Sequence, residues 1–139
     1  MATLNGNNVY LSWDGVDISG YWTDQINKSA SNSTVDVTAG AGATHVERLD
    51  GLNDNTMAFA VVYDISDLAT YKGKLIPGTI GTLIYGPEGN TAGKPKFECP
   101  MILQQVDGPN PSIDKQKVMF ELSFEGAAAP TATIEANTF

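Results

Sequence analysis

Lys117-Val118-Met119-Phe120-Glu121-Leu122-Ser123-Phe124-Glu125 alternates without interruption. In an extended chain Val118, Phe120, Leu122 and Phe124 share one side, and Lys117, Met119, Glu121, Ser123 and Glu125 share the other. A period of two with one apolar set describes a strand half-buried against a core. Gly126 closes the pattern, and Ala127-Ala128-Ala129-Pro130 and the residues beyond it show none.

The same alternation recurs on moving outward from this stretch. Phe97, Cys99, Met101 and Leu103 alternate along a preceding strand, with Pro100 inside it. A proline lacks the N–H a ladder needs, so an edge or a bulge is expected there. Asp107-Gly108-Pro109-Asn110-Pro111 reads as the intervening loop. Gly81 to Gly86 is a short strand stopped by Pro87, and Gly86 to Lys94 is turn-rich. Met57, Phe59, Val61 and Tyr63 line one face of a strand over 56–63. Ala58, Ala60 and Val62 line the other, so both faces are suited to cover. Near the start, Val9, Leu11 and Trp13 run into Asp14-Gly15, a dipeptide that favours a type I′ hairpin turn. Val16, Ile18 and Gly20-Tyr21-Trp22 return from it.

Three segments differ. Residues 26–38 form a polar strand in which Ser33, Val35 and Val37 oppose Thr34, Asp36 and Thr38. Ser66 to Gly73 reads as the single helix, capped by Ser66 or Asp67, with Leu68 and Tyr71 three apart and Gly73 as the stop. Ala39-Gly40-Ala41-Gly42-Ala43 and the residues to Asn55 read as a long loop with scattered Val46, Leu49 and Leu52. A loop of that length in a small domain is usually functional. The expected fold class is mainly β: an antiparallel β-sandwich or barrel with one short α-helix and a long Gly/Ala-rich loop. Residues 1–126 are expected to form a single domain and 127–139 an exposed C-terminal arm.

Composition narrows the function. The chain has 139 residues and a net charge of −8, from 16 acidic and 8 basic side chains. Arg48 is the only arginine. Proteins that grip nucleic acid cluster Lys and Arg, so this balance argues against such a grip. Cys99 is the only cysteine, which excludes an internal disulfide. No run approaches the ~18 apolar residues of a membrane helix, and Met1 to Gly6 lacks the charged and apolar regions of a signal peptide. The expectation is a cytoplasmic product without a membrane partner.

Chemistry-bearing patterns are scarce. His45, the only histidine, would have to serve any Ser-His-Asp triad, and no nucleophile elbow accompanies it. Asp50-Gly51-Leu52-Asn53-Asp54-Asn55 superficially suggests a calcium loop, but it lacks the sixth-position Gly and the closing Glu. Gly40 and Gly42 precede neither Lys-Ser/Thr nor a helix start, so they form no phosphate loop. Asn27-Lys28-Ser29 and Asn32-Ser33-Thr34 match a glycosylation pattern that means little without export. Glu121 and Glu125 would sit ~13 Å apart on one strand, too far for a glycosidase pair. Trp13 and Trp22 could stack on sugars or bases, or simply fill a core or a subunit contact. No catalytic residue, metal or cofactor is expected.

The organisation resembles the tail tube (major tail) proteins of long-tailed bacteriophages, kin to the tube protein of type VI secretion. The segments carrying the resemblance are Gly6 to Trp13; Val35-Asp36-Val37-Thr38 running into the Gly/Ala loop; and Leu49 to Thr56 leading into a hydrophobic strand. Tyr63-Asp64 before a short helix and the closing pair Ala92 to Val106 and Gln116 to Gly126 complete it. Together they span most of the chain, and none is a sharp signature. The resemblance implies hexameric rings, with each subunit lending four strands to a continuous inner barrel. Rings would stack through the long loop and terminal arms, making a conduit for DNA ejection. The self-assembled tube, in contact with other tail proteins, would belong to a virion assembled in the host cytoplasm. DNA would pass through the lumen without specific binding.

On that reading Asp36, Glu98, Glu121 and Glu125 are lumen-facing candidates. Ala39, Gly40, Gly42, His45, Val46, Arg48, Leu49 and Leu52 are inter-ring candidates. A hexamer would carry about −48 (6 × −8), a wall to which DNA does not adhere. Lys96 and Lys117 temper a purely acidic lumen and are expected to pair with carboxylates across strands. The alternatives are another phage structural part (decoration or tail-completion), a type VI tube, a carbohydrate-binding β-module using Trp13 and Trp22, and, weakest, a small hydrolase.

Overall fold

Asp14 and Gly15 both have positive φ, 47° and 83°, as a type I′ turn requires. They join β1 (Tyr10–Trp13) to β2 (Val16–Asp17). The computed structural model describes residues 8–38, 40, 42, 44–46, 48–63, 72–114 and 117–139. Its other strands are β3 (Trp22–Asp36), β4 (Arg48–Val62), β5 (Ile80–Gly86), β6 (Phe97–Ser112) and β7 (Lys117–Gly126). All pair antiparallel in one sheet of order β2-β1-β5-β6-β7-β4-β3.

That order forces the sheet to coil. β2 and β3 are its two outermost strands, yet only Ile18 to Tyr21 separates them. Five residue steps reach at most ~18 Å. Six strand gaps in a flat sheet span about 29 Å. The two ends of the sheet must therefore curl toward each other. Val62 N donates to Tyr21 O at 2.8 Å, and Tyr21 N to Ile18 O at 3.0 Å, where the ends meet. The enclosed space holds Leu11, Trp13, Met57, Phe59, Val61, Leu83, Phe97, Cys99, Met101, Leu103, Leu122 and Phe124. The alternating apolar sets of β6 and β7 thus face inward together.

The expected mainly-β antiparallel class is the observed one, and three details differ. The loop expected over 39–55 is shorter, because Arg48 to Asn55 belongs to β4 and pairs with β3, Leu49 with Val35 and Arg48 with Asp36, across a register shift between Asn32 and Thr34. Low side-chain volume and polarity hid a strand whose partner supplies its hydrogen bonds. Asp107 to Pro111, expected as a loop, lies within β6, where a register irregularity between Asp107 and Asn110 absorbs the Gly-Pro step. The helix expected over Ser66–Gly73 lies largely outside the described residues, and Lys72–Lys74 is a 3-10 turn.

Pro100 sits in β6, an interior strand. Its carbonyl accepts from Ala127 N at 2.8 Å, one residue past the last β6–β7 pair, Met101–Gly126. The proline nitrogen therefore points to the side where β7 has just ended, and no ladder donor is missed.

The segment after Gly126 does not project as an arm. It runs back along the edge of β6 that β7 vacates. Thr131 N and Ala132 N donate to Glu98 O, Glu98 N donates to Ala132 O, and Lys96 N donates to Asn137 O. Phe139 N donates to Lys94 O at 2.9 Å. Ala132 is buried, Ile134 packs on the core, and the Phe139 ring meets Tyr10 edge-on at 5.7 Å. An apolar residue every few positions, rather than strict alternation, is enough to hold this strap.

Candidate functional site

Register places one side-chain set of β3, β4, β7 and β6 on the face away from the core. Glu121 lies between Ala60 and Asp107, Ser123 between Ala58 and Gln105, and Glu125 between Thr56 and Ile102. On β3, Asn27 lies opposite Ala58, Ser29 opposite Thr56 and Thr23 opposite Ala60. The result is a shallow, open face of small and polar side chains carrying carboxylates. Asp107 and Glu121 stand directly opposite each other, an arrangement that costs stability between like charges. Gln105 Nε2 donates to both Asp107 oxygens, at 3.1 and 2.9 Å.

Glu121 and Glu125 share this face. Glu98 and Asp36 do not join them. Glu98 lies beyond the end of β7, opposite Ile84 and beside the C-terminal strap. Its carboxylate is 3.6 Å from Lys96 Nζ and only 27% exposed. This ion pair lies along one strand segment rather than across strands. Asp36 is the last residue of β3, eight residues along the ladder from Thr56, or ~26 Å from the level of Glu125. It is fully exposed, and hydrogen bonds from the Thr38 backbone N–H and then from its side chain hold its carboxyl below the usual range. The partners the sequence did not single out (Thr23, Asn27, Ala58, Gln105, Asp107, Ser123) become visible only through cross-strand register.

The second feature is a ribbon. β4 pairs with β7 only from Thr56 to Val62. From Arg48 to Asn55 it pairs with β3 alone, so the two strands leave the sheet as a projecting hairpin. From Ala30 to Thr34 on β3 every residue is exposed. Leu49 is 59% and Leu52 82% exposed, and Val46 near the tip is 51% exposed. Of the inter-ring candidates, Arg48, Leu49 and Leu52 are ribbon residues. Gly40, Gly42, His45 and Val46 lie in the tip, and Ala39 lies outside the described residues. A two-stranded hairpin is marginal by itself, and large exposed apolar side chains on it have no partner within the described residues.

Other candidates take structural roles. Asp50 to Asn55, the superficial calcium loop, is extended strand. His45 Nδ1 lies 3.4 Å from Thr44 Oγ1 at the exposed tip. Trp13 is 1% exposed, its Nε1–H donates to Lys74 O at 2.9 Å, and its ring packs on Phe124. It cannot form a sugar-stacking platform with Trp22, which is itself partly buried against the core. Burial pushes the Cys99 thiol up, with Lys28 opposing weakly.

No family model matches the chain, and no curated protein matches it. Solved structures do. A chain from the tail of an empty gene transfer agent particle, refined with helical C6 symmetry, superposes with a TM-score of 0.66 at 16% identity, covering 94% of this chain and 99% of that one. A chain from the virion of a native gene transfer agent particle superposes with a TM-score of 0.66 at 20% identity, covering 94% and 99%. Near-complete coverage of both chains establishes a shared fold.

Proposed function

We propose that this chain is a structural virion protein of a phage-type tail, with no catalytic role. Copies close into hexameric rings, the rings stack into a tube, and the β3–β4–β7–β6 face forms its wall around a channel for DNA. The observation that carries this reading is the face itself. It is continuous across four strands, small and polar, and it holds Glu121, Glu125 and Asp107, with neither lysine nor arginine at the positions paired with Glu121 and Glu125. Such a wall repels a polyanion instead of binding it. β3 is the last strand of the sheet among the described residues, an edge to which a neighbour in the ring could add. The ribbon, carrying Leu49 and Leu52 beyond the sheet, is suited to the next ring. A chain of this fold occurs in a gene transfer agent tail refined with C6 symmetry, which supports six-fold closure and contact with other tail proteins.

Negative-stain electron microscopy of the purified protein at high concentration tests this. Rings or tubes with a central hole are expected. Trimers, or monomers at every concentration, would contradict ring assembly and favour a decoration protein.

A further inference from the structure

The C-terminal strap meets two parts of the molecule that the rest of the chain keeps apart. Its far part is fastened. Lys96 N donates to Asn137 O, Phe139 N donates to Lys94 O, Ile134 packs on the core and the Phe139 ring meets Tyr10. Its near part passes the root of the ribbon. Asn53, Asp54 and Asn55 share one concavity of about 280 Å³ with Gly126 to Pro130. They share a second, of about 360 Å³, with Ala30, Pro130 and Thr133. A Cβ added at Gly126 would stand 3.3 Å from Asn55 O, so the strap leaves β7 in close contact with the root. Pro130 is half-buried there although Ala127 to Ala129 and Thr131 are exposed.

We infer that the strap is a latch coupling the edge of β6 to the ribbon. While it is docked, Pro130 and Thr133 buttress the root and keep the β3–β4 ladder of the ribbon paired. Lifting it from β6 lets the ribbon fray from its root. The ribbon needs such support, because a two-stranded hairpin is marginal by itself and β7 gives β4 no partner before Thr56 among the described residues. Proline, with its fixed φ, makes a stiff bumper. The concavities on either side of it mean that little else holds the root, and a segment with few packed contacts is among the first to open. The latch acts within one subunit and is independent of ring assembly.

Amide hydrogen exchange on the full chain tests this with two variants. Ile134→Ser loosens the fastened part. Pro130→Gly with Thr133→Ala trims the bumper and leaves the hydrogen bonds to β6 in place. In Ile134→Ser, the Lys96 and Glu98 amides and those of ribbon residues 30–34 and 48–55 are expected to exchange together about tenfold faster, while Thr56 to Val62, paired with β7, stay protected. In the bumper variant the ribbon amides alone should quicken. Ribbon exchange unchanged in the bumper variant would overturn the latch, as would ribbon amides already unprotected in the parent chain.

Discussion

The Trp13 indole meets the Phe124 ring edge to face at 4.6 Å between centroids, although β1 and β7 are separated in the sheet by β5 and β6. The contact spans the inside of the coiled sheet, and Phe59 stacks on Phe124 at 5.2 Å. Phe124→Ala removes the centre of this stack. A loss of about 3–5 kcal/mol is expected from the cavity and transfer terms. Denaturant unfolding followed by tryptophan fluorescence would measure it, and a loss below ~1 kcal/mol would show that the ring is not central to the core.

The C-terminal strap carries a second expectation. Truncation after Gly126 strips partners from Glu98 in β6 and from Lys96 and Lys94 just before it and uncovers the site of Ile134. Each backbone group left without a partner costs ~1–3 kcal/mol if it stays dry, so a clear drop in thermal midpoint should follow. An unchanged midpoint would restore the picture of a free arm.

Removing Ala39 to Thr44 shortens the ribbon tip without touching the core. The sheet should keep its melting temperature while assembly stops at single rings. Sedimentation velocity beside a thermal melt separates the two effects, and long tubes from the shortened chain would contradict the role assigned to the ribbon.

Charge reversal probes the wall. Glu121→Lys with Glu125→Lys changes each copy by +4, from −8 to −4, and places cations on the face. Assembled variant should retain duplex DNA at low salt and release it as salt rises, whereas the parent should retain none. Fluorescence anisotropy with labelled DNA reads this. Equal retention by both proteins would count against the face.

Cys99 and Tyr85 give a pH expectation. Burial raises both groups above their ordinary values of 9.0 and 10.0. Each keeps its proton in the folded state at a pH where the unfolded chain has lost it. Stability is therefore full below about pH 9 and falls as pH rises through the raised values. Urea unfolding across pH 7 to 11 should show this decline, with Cys99→Ala flattening its lower part.

Much of the fold was legible because alternation survives in a single strand. Val118 to Phe124, Phe97 to Leu103 and Asp14-Gly15 each carry their own signal. Arg48 to Asn55 does not, since it pairs with β3 alone beyond the core, and no core face imposes alternation on it. The site was half legible for a related reason. Glu121 and Glu125 follow from the parity of one strand. Asp107 as their neighbour depends on a bulge after Leu103, and the separation of Glu98 from them depends on a strap that lies some thirty residues later in the chain.

Helical reconstruction of assembled tubes by electron cryomicroscopy bears most directly on the central proposal. Glu121, Glu125 and Asp107 are expected on the channel wall, with Thr23, Asn27 and Ser123 between them. Tubes whose inner wall is built from another surface, with Glu121 and Glu125 facing outward or buried between subunits, would contradict it.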